Sequence, residues 1–292
     1  NVLEPKKWEE DNGSVLSRHL SFLRDFFRSY KDFTGEEIDV LEIFLENLYK
    51  SKGITENIKL SKLNHTDYPI LSDLYYLSEK ELNGFEDNKG NIYTKETVRN
   101  LCLKLKSICV GADSKFFNGH TNITDDKFLC FGVKGIMEAD TSIKNAMLFN
   151  VLSYMSDALL TKGNTVAFID ELYLFFTNLT AIEYIRNAMK RVRKKESALV
   201  IASQNIEDFN RADVKEMTKP LFAIPTHQFL FYPGNISKKE YIEMIRLDEC
   251  LFDLISYPSK GVCVFRHGSE VYHLVVKAQK YKEELFGSAG GR

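Results

Sequence analysis

The stretch Val166–Glu171, VAFIDE, puts two carboxylates at the end of four apolar residues. Such a run suits a strand buried on both faces of a parallel sheet. Acids at its tip are costly to bury unless chemistry uses them, and open α/β sheets bind ligands at that edge. An apolar run followed by Asp-Glu is the pattern of a Walker B strand. Magnesium bridging the β- and γ-phosphates of ATP needs a carboxylate, directly or through water, and Asp170 would supply it. A water attacking the γ-phosphate needs a base, and Glu171, one residue on, would be that base. The competing reading is that both acids cap the next helix, whose N-terminal dipole favours negative charge.

A second strand-like run, ALVIASQN, ends at Ser203–Gln204. Glutamine at the tip of the strand beside a Walker B strand offers an amide donor to the γ-phosphate and a carbonyl acceptor to the water. Between the two runs lies KRVRKKES, Lys190–Ser197. A basic run at a helix C-terminus ordinarily serves as a solvated cap. The alternative is that one arginine reaches a neighbouring subunit's ATP, as an arginine finger does. No GxxxxGK[ST] occurs anywhere in the 292 residues. The backbone cradle and lysine of that loop supply most of a P-loop's grip on phosphate, so this chain cannot complete such a site by itself.

These tips need elements to hold them. After Val110 the pattern alternates strand and helix. KFLCFGV reads as a strand and Thr141–Leu160 as a long helix. Then come the Walker B strand, a helix over Ala181–Val192, the ALVIAS strand and a strand at HQFLFY. SKKE, Ser237–Glu240, is a capping box opening another helix. GVCVFRHGSEVYHLVV reads as a hairpin turning near His267–Gly268. Strands alternating with helices imply right-handed crossovers and a mostly parallel sheet. From Val15 to Val110 the period is helical instead. Leu16, Leu20, Leu23, Phe27 and Tyr30 form one stripe, and Ile38, Leu41, Leu45 and Leu48 a second. Thr34–Glu37, TGEE, is a capping box. Pro69 opens a helix through Leu77, and Val98, Leu101, Leu105 and Ile108 mark a fourth. GFEDNKGN, Gly84–Asn91, is a polar turn.

Bulk composition excludes several classes. The chain is 44% hydrophobic and 27% charged with a formal net charge of -2, which argues against a disordered tail and against a globally basic nucleic-acid binder. Cys102, Cys109, Cys130, Cys250 and Cys263 show no CxxC spacing and read as reduced core thiols of a cytosolic compartment. The histidines are scattered without HxxxH or a cysteine partner, so a metal centre is not expected. YLFFTNL after Glu171 reads as helix packing rather than a base-stacking platform. No run of about 20 apolar residues is present to span a bilayer, and no signal peptide is seen at Asn1. Gly287–Arg292 reads as a flexible tail or as a remnant appended for expression.

With these residues in view, the chain resembles the conjugative-transfer ATPases of type IV secretion systems. It looks closest to the C-terminal half of the fourth VirB protein, within the HerA/FtsK group of RecA-like motors. NVLEP resembles the segment after the second core strand, and the helical stretch with YPILSDLYYL resembles the all-α domain inserted in that family's core. VAFIDELYLFF, RKKESALVIASQN and the closing hairpin resemble later core motifs in the same order. The resemblance implies an α/β, RecA-like, mostly parallel sheet flanked by helices. Residues 1–14 would start the core after the P-loop region, 15–110 would be the inserted all-α domain, and 111–292 the nucleotide-binding core.

By position, Asp170 corresponds to the magnesium-side carboxylate, Glu171 to the water activator and Gln204 to the sensor. The trans arginine of relatives sits in an Arg-Lys pair before the sensor strand. Arg193–Lys194 fills that place, 204 − 193 = 11 residues before Gln204, which raises Arg193 above Arg191 and Arg186. The resemblance further implies ATP and magnesium as cofactors and a hexameric homo-oligomer. It implies a cytoplasmic location at the inner face of the membrane, among other secretion components, with DNA or protein as the substrate moved. The rivals are a DNA-translocating coupling-protein or HerA-like motor, and a non-catalytic interaction module with a degenerate nucleotide site.

Overall fold

The computed structural model describes residues 1–6, 15–56, 60–86, 90–123, 126–204 and 206–287. The polar turn at Gly84–Asn91, the segment 1–14 and the glycine-rich end therefore lie partly or wholly outside the described residues. The chain divides into two compact units: Asn1–Ala167 with Arg191–Ala198, and Phe168–Lys190 with Leu199–Arg292.

The first unit is built on helices α1 (Val15–Tyr30), α2 (Gly35–Ser51), α3 (Leu71–Asn83) and α4 (Lys95–Cys109), with short helices α5 (Ser114–Phe117) and α6 (Lys134–Met137) and the long α7 (Thr141–Asp157). The expected stripes become its core. Leu23, Phe27, Ile38, Leu41, Leu45, Leu101 and Leu105 are all fully buried, each contributing roughly 1.5–3 kcal/mol relative to exposure. Phe22 of α1 stacks on Phe149 of α7 at 5.8 Å. The start of α2 is fixed by the predicted capping box: Thr34 Oγ1 accepts from the Glu37 amide at 3.2 Å, and Glu37 Oε2 accepts from the Thr34 amide at 2.7 Å. Lys104 of α4 reaches the same carboxylate at 2.5 Å, tying two helices through one cap. Helix α3 starts two residues beyond Pro69, where the Asp73 carboxylate accepts from the Ile70 amide at 3.1 Å. Among the described residues between Val15 and Val110 there is no strand.

KFLCFGV, expected as a strand, is not one. It runs as irregular chain into α6, because it has no strand beside it among the described residues. Phe128 is left 87% exposed, while Phe131 meets the Tyr154 ring of α7 at 5.7 Å. The expectation of five core thiols is corrected here, since Cys130 and, in the second unit, Cys250 are exposed, and only Cys102, Cys109 and Cys263 are buried.

Two strands, β1 (Val166–Ile169) and β2 (Ala198–Ile201), pair with each other. The Ala198 amide donates to Thr165 O and the Ala202 amide to Ile169 O, both at 2.9 Å. The offsets are equal, 198 − 165 = 202 − 169 = 33, so the pair is parallel. The expectation that β1 is buried on both faces is corrected: Val166 is 74% and Phe168 63% exposed, while Ile169 is buried. No described element covers the face that Val166 and Phe168 share.

In the second unit, α8 (Leu179–Arg191, its last residue in the first unit) and α9 (Lys215–Ala223) precede β3 (His227–Leu230). After α10 (Lys238–Ile245) and α11 (Glu249–Asp253) come β4 (Val262–His267), β5 (Glu270–Val275) and α12 (Lys280–Phe286). The predicted capping box at Ser237 holds α10, with Oγ accepting from the Glu240 amide at 3.3 Å. Strands β3, β4 and β5 form one antiparallel sheet. A mostly parallel sheet was expected; among the described residues only β1 and β2 pair in parallel. The reason is chain direction, since β4 runs back along β3 and the β4–β5 hairpin reverses again. That hairpin was expected, and it turns at Gly268–Ser269, where Gly268 takes φ +59°. A glycine with positive φ in the first central position suits a two-residue type II′ turn. One face of this sheet packs Leu230 and Val264 against Tyr241, Ile245, Phe252 and Ile255. Arg266 on that face closes the end of α10, donating to Ile245 O at 3.0 Å and Arg246 O at 3.2 Å.

Candidate functional site

Parallel pairing brings the tips of β1 and β2 side by side, and the Leu172 amide adds a bond to Ala202 O at 3.0 Å just past them. Beyond the tips the backbone turns sharply at Glu171, in the left-handed region at φ 52°, ψ 52°. A β-substituted residue there is strained by roughly 1–3 kcal/mol, a cost typical of functional positions. The turn directs the Glu171 carboxylate to β2, where Gln204 Nε2 donates to Oε1 at 2.6 Å. The other oxygen, Oε2, is buried without a hydrogen-bond partner among the described residues. A buried acceptor in that state awaits a donor.

Glu171 stands at the N-cap position of the 3₁₀ turn Leu172–Thr177 that follows, but its side chain makes no capping hydrogen bond there. Asp170 is exposed, and among the described residues its Oδ1 accepts only from the adjacent Glu171 amide, at 3.0 Å. The aromatic run after Glu171 packs inward, as expected: Leu172 and Phe176 are buried, and the Phe176 ring meets Phe209 edge-on at 4.7 Å.

Arg193 lies in the 3₁₀ turn Val192–Lys195 after α8, which ends where Glu196 turns left-handed at φ 53°. Its side chain is exposed and has no ion pair or hydrogen bond among the described residues. It belongs to the first unit, whereas Asp170, Glu171 and Gln204 belong to the second. The structure thus joins Glu171 to Gln204 directly, with Asp170 adjacent in the chain. Arg186 is half-buried and donates to Met217 Sδ at 3.5 Å, so it faces inward. Arg191 is exposed.

The residues fit a nucleotide's magnesium and attacking water in part. An exposed carboxylate suits a cation that keeps most of its waters and is otherwise held by phosphates. The orphaned Oε2 suits a water donor. Among the described residues no group of three or more His, Cys, Asp or Glu could itself hold a metal ion.

Sequence reasoning missed the strain at Glu171, for which a glutamate gives no local signal. It also missed a pairing of His227 with His267, forty residues apart, which becomes visible only once the strand register is known.

No protein-family model matches the chain, and no curated protein matches it. Among solved structures, the chain is similar to the structure of VirB4 of Thermoanaerobacter pseudethanolicus at 28% sequence identity and a TM-score of 0.83. The match covers 97% of this chain and 75% of that one. The likeness to the fourth VirB protein read in the sequence is therefore shown over nearly the whole chain.

Proposed function

Taking this chain as a VirB4-like type IV secretion ATPase, we propose that it hydrolyses ATP to drive substrate translocation or pilus assembly. The observation that carries the reading is the bond between Glu171 and Gln204 at adjacent parallel strand tips. Glu171 takes a proton from the attacking water at its unpartnered Oε2. Gln204 holds the carboxylate by its other oxygen and so orients the base. Asp170 would hold magnesium through water, and the bound ion supplies positive charge against the phosphates. The Gln204 amide carries two N–H donors, so one can hold Glu171 Oε1 while the other meets the γ-phosphate and reports that the site is loaded.

The phosphate-gripping loop, absent from these 292 residues, comes from sequence beyond them or from another chain. We keep 15–110 as an all-α insertion and assign 1–14 and 111–292 to a RecA-like core. Arg193, exposed and without a partner among the described residues, serves a neighbouring protomer's ATP in a homo-oligomeric ring, a hexamer by the resemblance. No helix of the described residues is long and apolar enough to cross a membrane, which fits a motor docked on other secretion components at the inner face of the membrane.

The missing phosphate loop favours one other reading, a non-catalytic module. Steady-state ATP hydrolysis by the intact protein, with and without DNA, decides. Turnover without DNA stimulation supports the secretion motor, DNA-stimulated turnover points to a translocase, and no turnover leaves the module.

A further inference from the structure

The antiparallel sheet of the second unit carries an imidazole pair on its open face. His227 of β3 stands opposite His267 of β4. The Gly268 amide donates to Thr226 O at 3.0 Å, so the next pair inward, His227 and His267, is a non-hydrogen-bonded pair, the kind whose side chains lie closer. Their rings stack with centroids 4.5 Å apart, and Nδ1 lies 3.0 Å from Nδ1. Both side chains are exposed. Glu270 of β5 is opposite His267 in the same row, and its Oε2 accepts from the Tyr272 hydroxyl at 2.7 Å.

Two imidazole nitrogens at that separation share a proton, one donating and one accepting. A cation can replace the proton. With zinc–nitrogen bonds of about 2.0–2.1 Å, two ligands lie about 2.9 Å apart at a right angle and about 3.4 Å apart at a tetrahedral angle. The observed 3.0 Å falls within that span. Imidazole favours zinc, copper and nickel over magnesium or calcium, so the site is chemically distinct from the carboxylates at the strand tips.

We propose that His227 and His267 form a surface site for a divalent transition metal, zinc(II) or copper(II), bridging β3 and β4, with the Glu270 carboxylate as the adjacent negative charge. Because no third ligand encloses the site among the described residues, the cation keeps positions open to water or to a ligand from another molecule.

The test is isothermal titration of the 292-residue chain with zinc(II) alone, in a buffer that does not chelate. One equivalent binds, and His227→Gln and His267→Gln each weaken it by about tenfold or more, since losing even a ligand's supporting partner costs 10–100-fold. His19, His65, His120 and His273 remain in both variants as internal controls. Zinc also raises the wild-type Tm by mass action and raises both variants' Tm less at the same zinc concentration. Equal zinc affinity in wild type and either folded variant overturns the proposal, as does an absence of wild-type binding. Copper(II) electron paramagnetic resonance of the wild type is independent of variant folding. Couplings to two imidazole nitrogens support the site, and their absence overturns it.

Discussion

Gln204→Ala isolates the contact on which the proposed chemistry depends. The substitution removes the 2.6 Å bond to Glu171 Oε1. Oε2 already lacks a partner among the described residues, so the carboxylate would lose its only side-chain restraint there. A hydrogen bond to a charged group is worth roughly 1.5–3 kcal/mol, and exposure at the strand tips places this one at the lower end. If that energy orients the base in the transition state, 1.36 kcal/mol per tenfold converts it to a fall in kcat of about 10-fold, up to about 150-fold. Stability should change little, because Gln204 is exposed. The assay is ATP turnover and ATP affinity of the intact protein, wild type against Gln204→Ala, with Gln204→Asn as the shorter amide. A lower kcat with affinity kept within about threefold is expected. Turnover within twofold of wild type, or affinity and turnover falling together, refutes the positioning role of Gln204.

Arg193→Lys should keep folding and ATP affinity but lose turnover, because lysine cannot reproduce the two-pronged contact of a guanidinium with phosphate. Rings mixed from Arg193→Ala and Glu171→Gln protomers should regain part of the activity, and no recovery in rings shown to be mixed contradicts action between subunits. Leu105→Ala, at a fully buried position of α4, should cost about 2–5 kcal/mol in chemical unfolding. Burial pushes the Glu37 carboxyl up, but the Lys104 bond and the Thr34 amide outweigh it and hold the group below its ordinary value. A lowered folded-state value gives stability that is present above the unfolded carboxylate's value, about 4.3, and is lost as pH falls through the folded one. Lys104→Met should therefore be less stable than wild type by roughly 1.5–3 kcal/mol at pH 7, with the gap closing in acid; a gap independent of pH contradicts this origin.

Local rules made much of the helical part legible. The stripes at Leu20–Tyr30 and Ile38–Leu48 recur at helical spacing, and Thr34 and Ser237 announce their helices by side chains that satisfy first-turn amides. The strands were less legible because a strand's fate depends on its neighbours. KFLCFGV has strand-like residues but no partner, and VAFI has a continuous apolar run but only one covered face. Nothing within HQFLFY says that it pairs antiparallel with a segment more than thirty residues on. At the candidate site, Asp170, Glu171 and Gln204 were visible as residue types at strand tips. That Glu171 turns left-handed and that Gln204 donates to it are tertiary facts. The place of Arg193 was read from the basic run and the resemblance, and its target lies in a neighbour by proposal.

The most direct test of ATP hydrolysis at these strand tips is Glu171→Gln in the intact protein. Glutamine keeps the size and the polar contacts of the side chain but cannot take the water's proton. Nucleotide binding should survive while turnover falls by about 10² or more, the usual contribution of a general base, and ATP should remain bound unhydrolysed. Turnover close to wild type, or binding and turnover lost in equal measure, would contradict the assignment of Glu171 as the base.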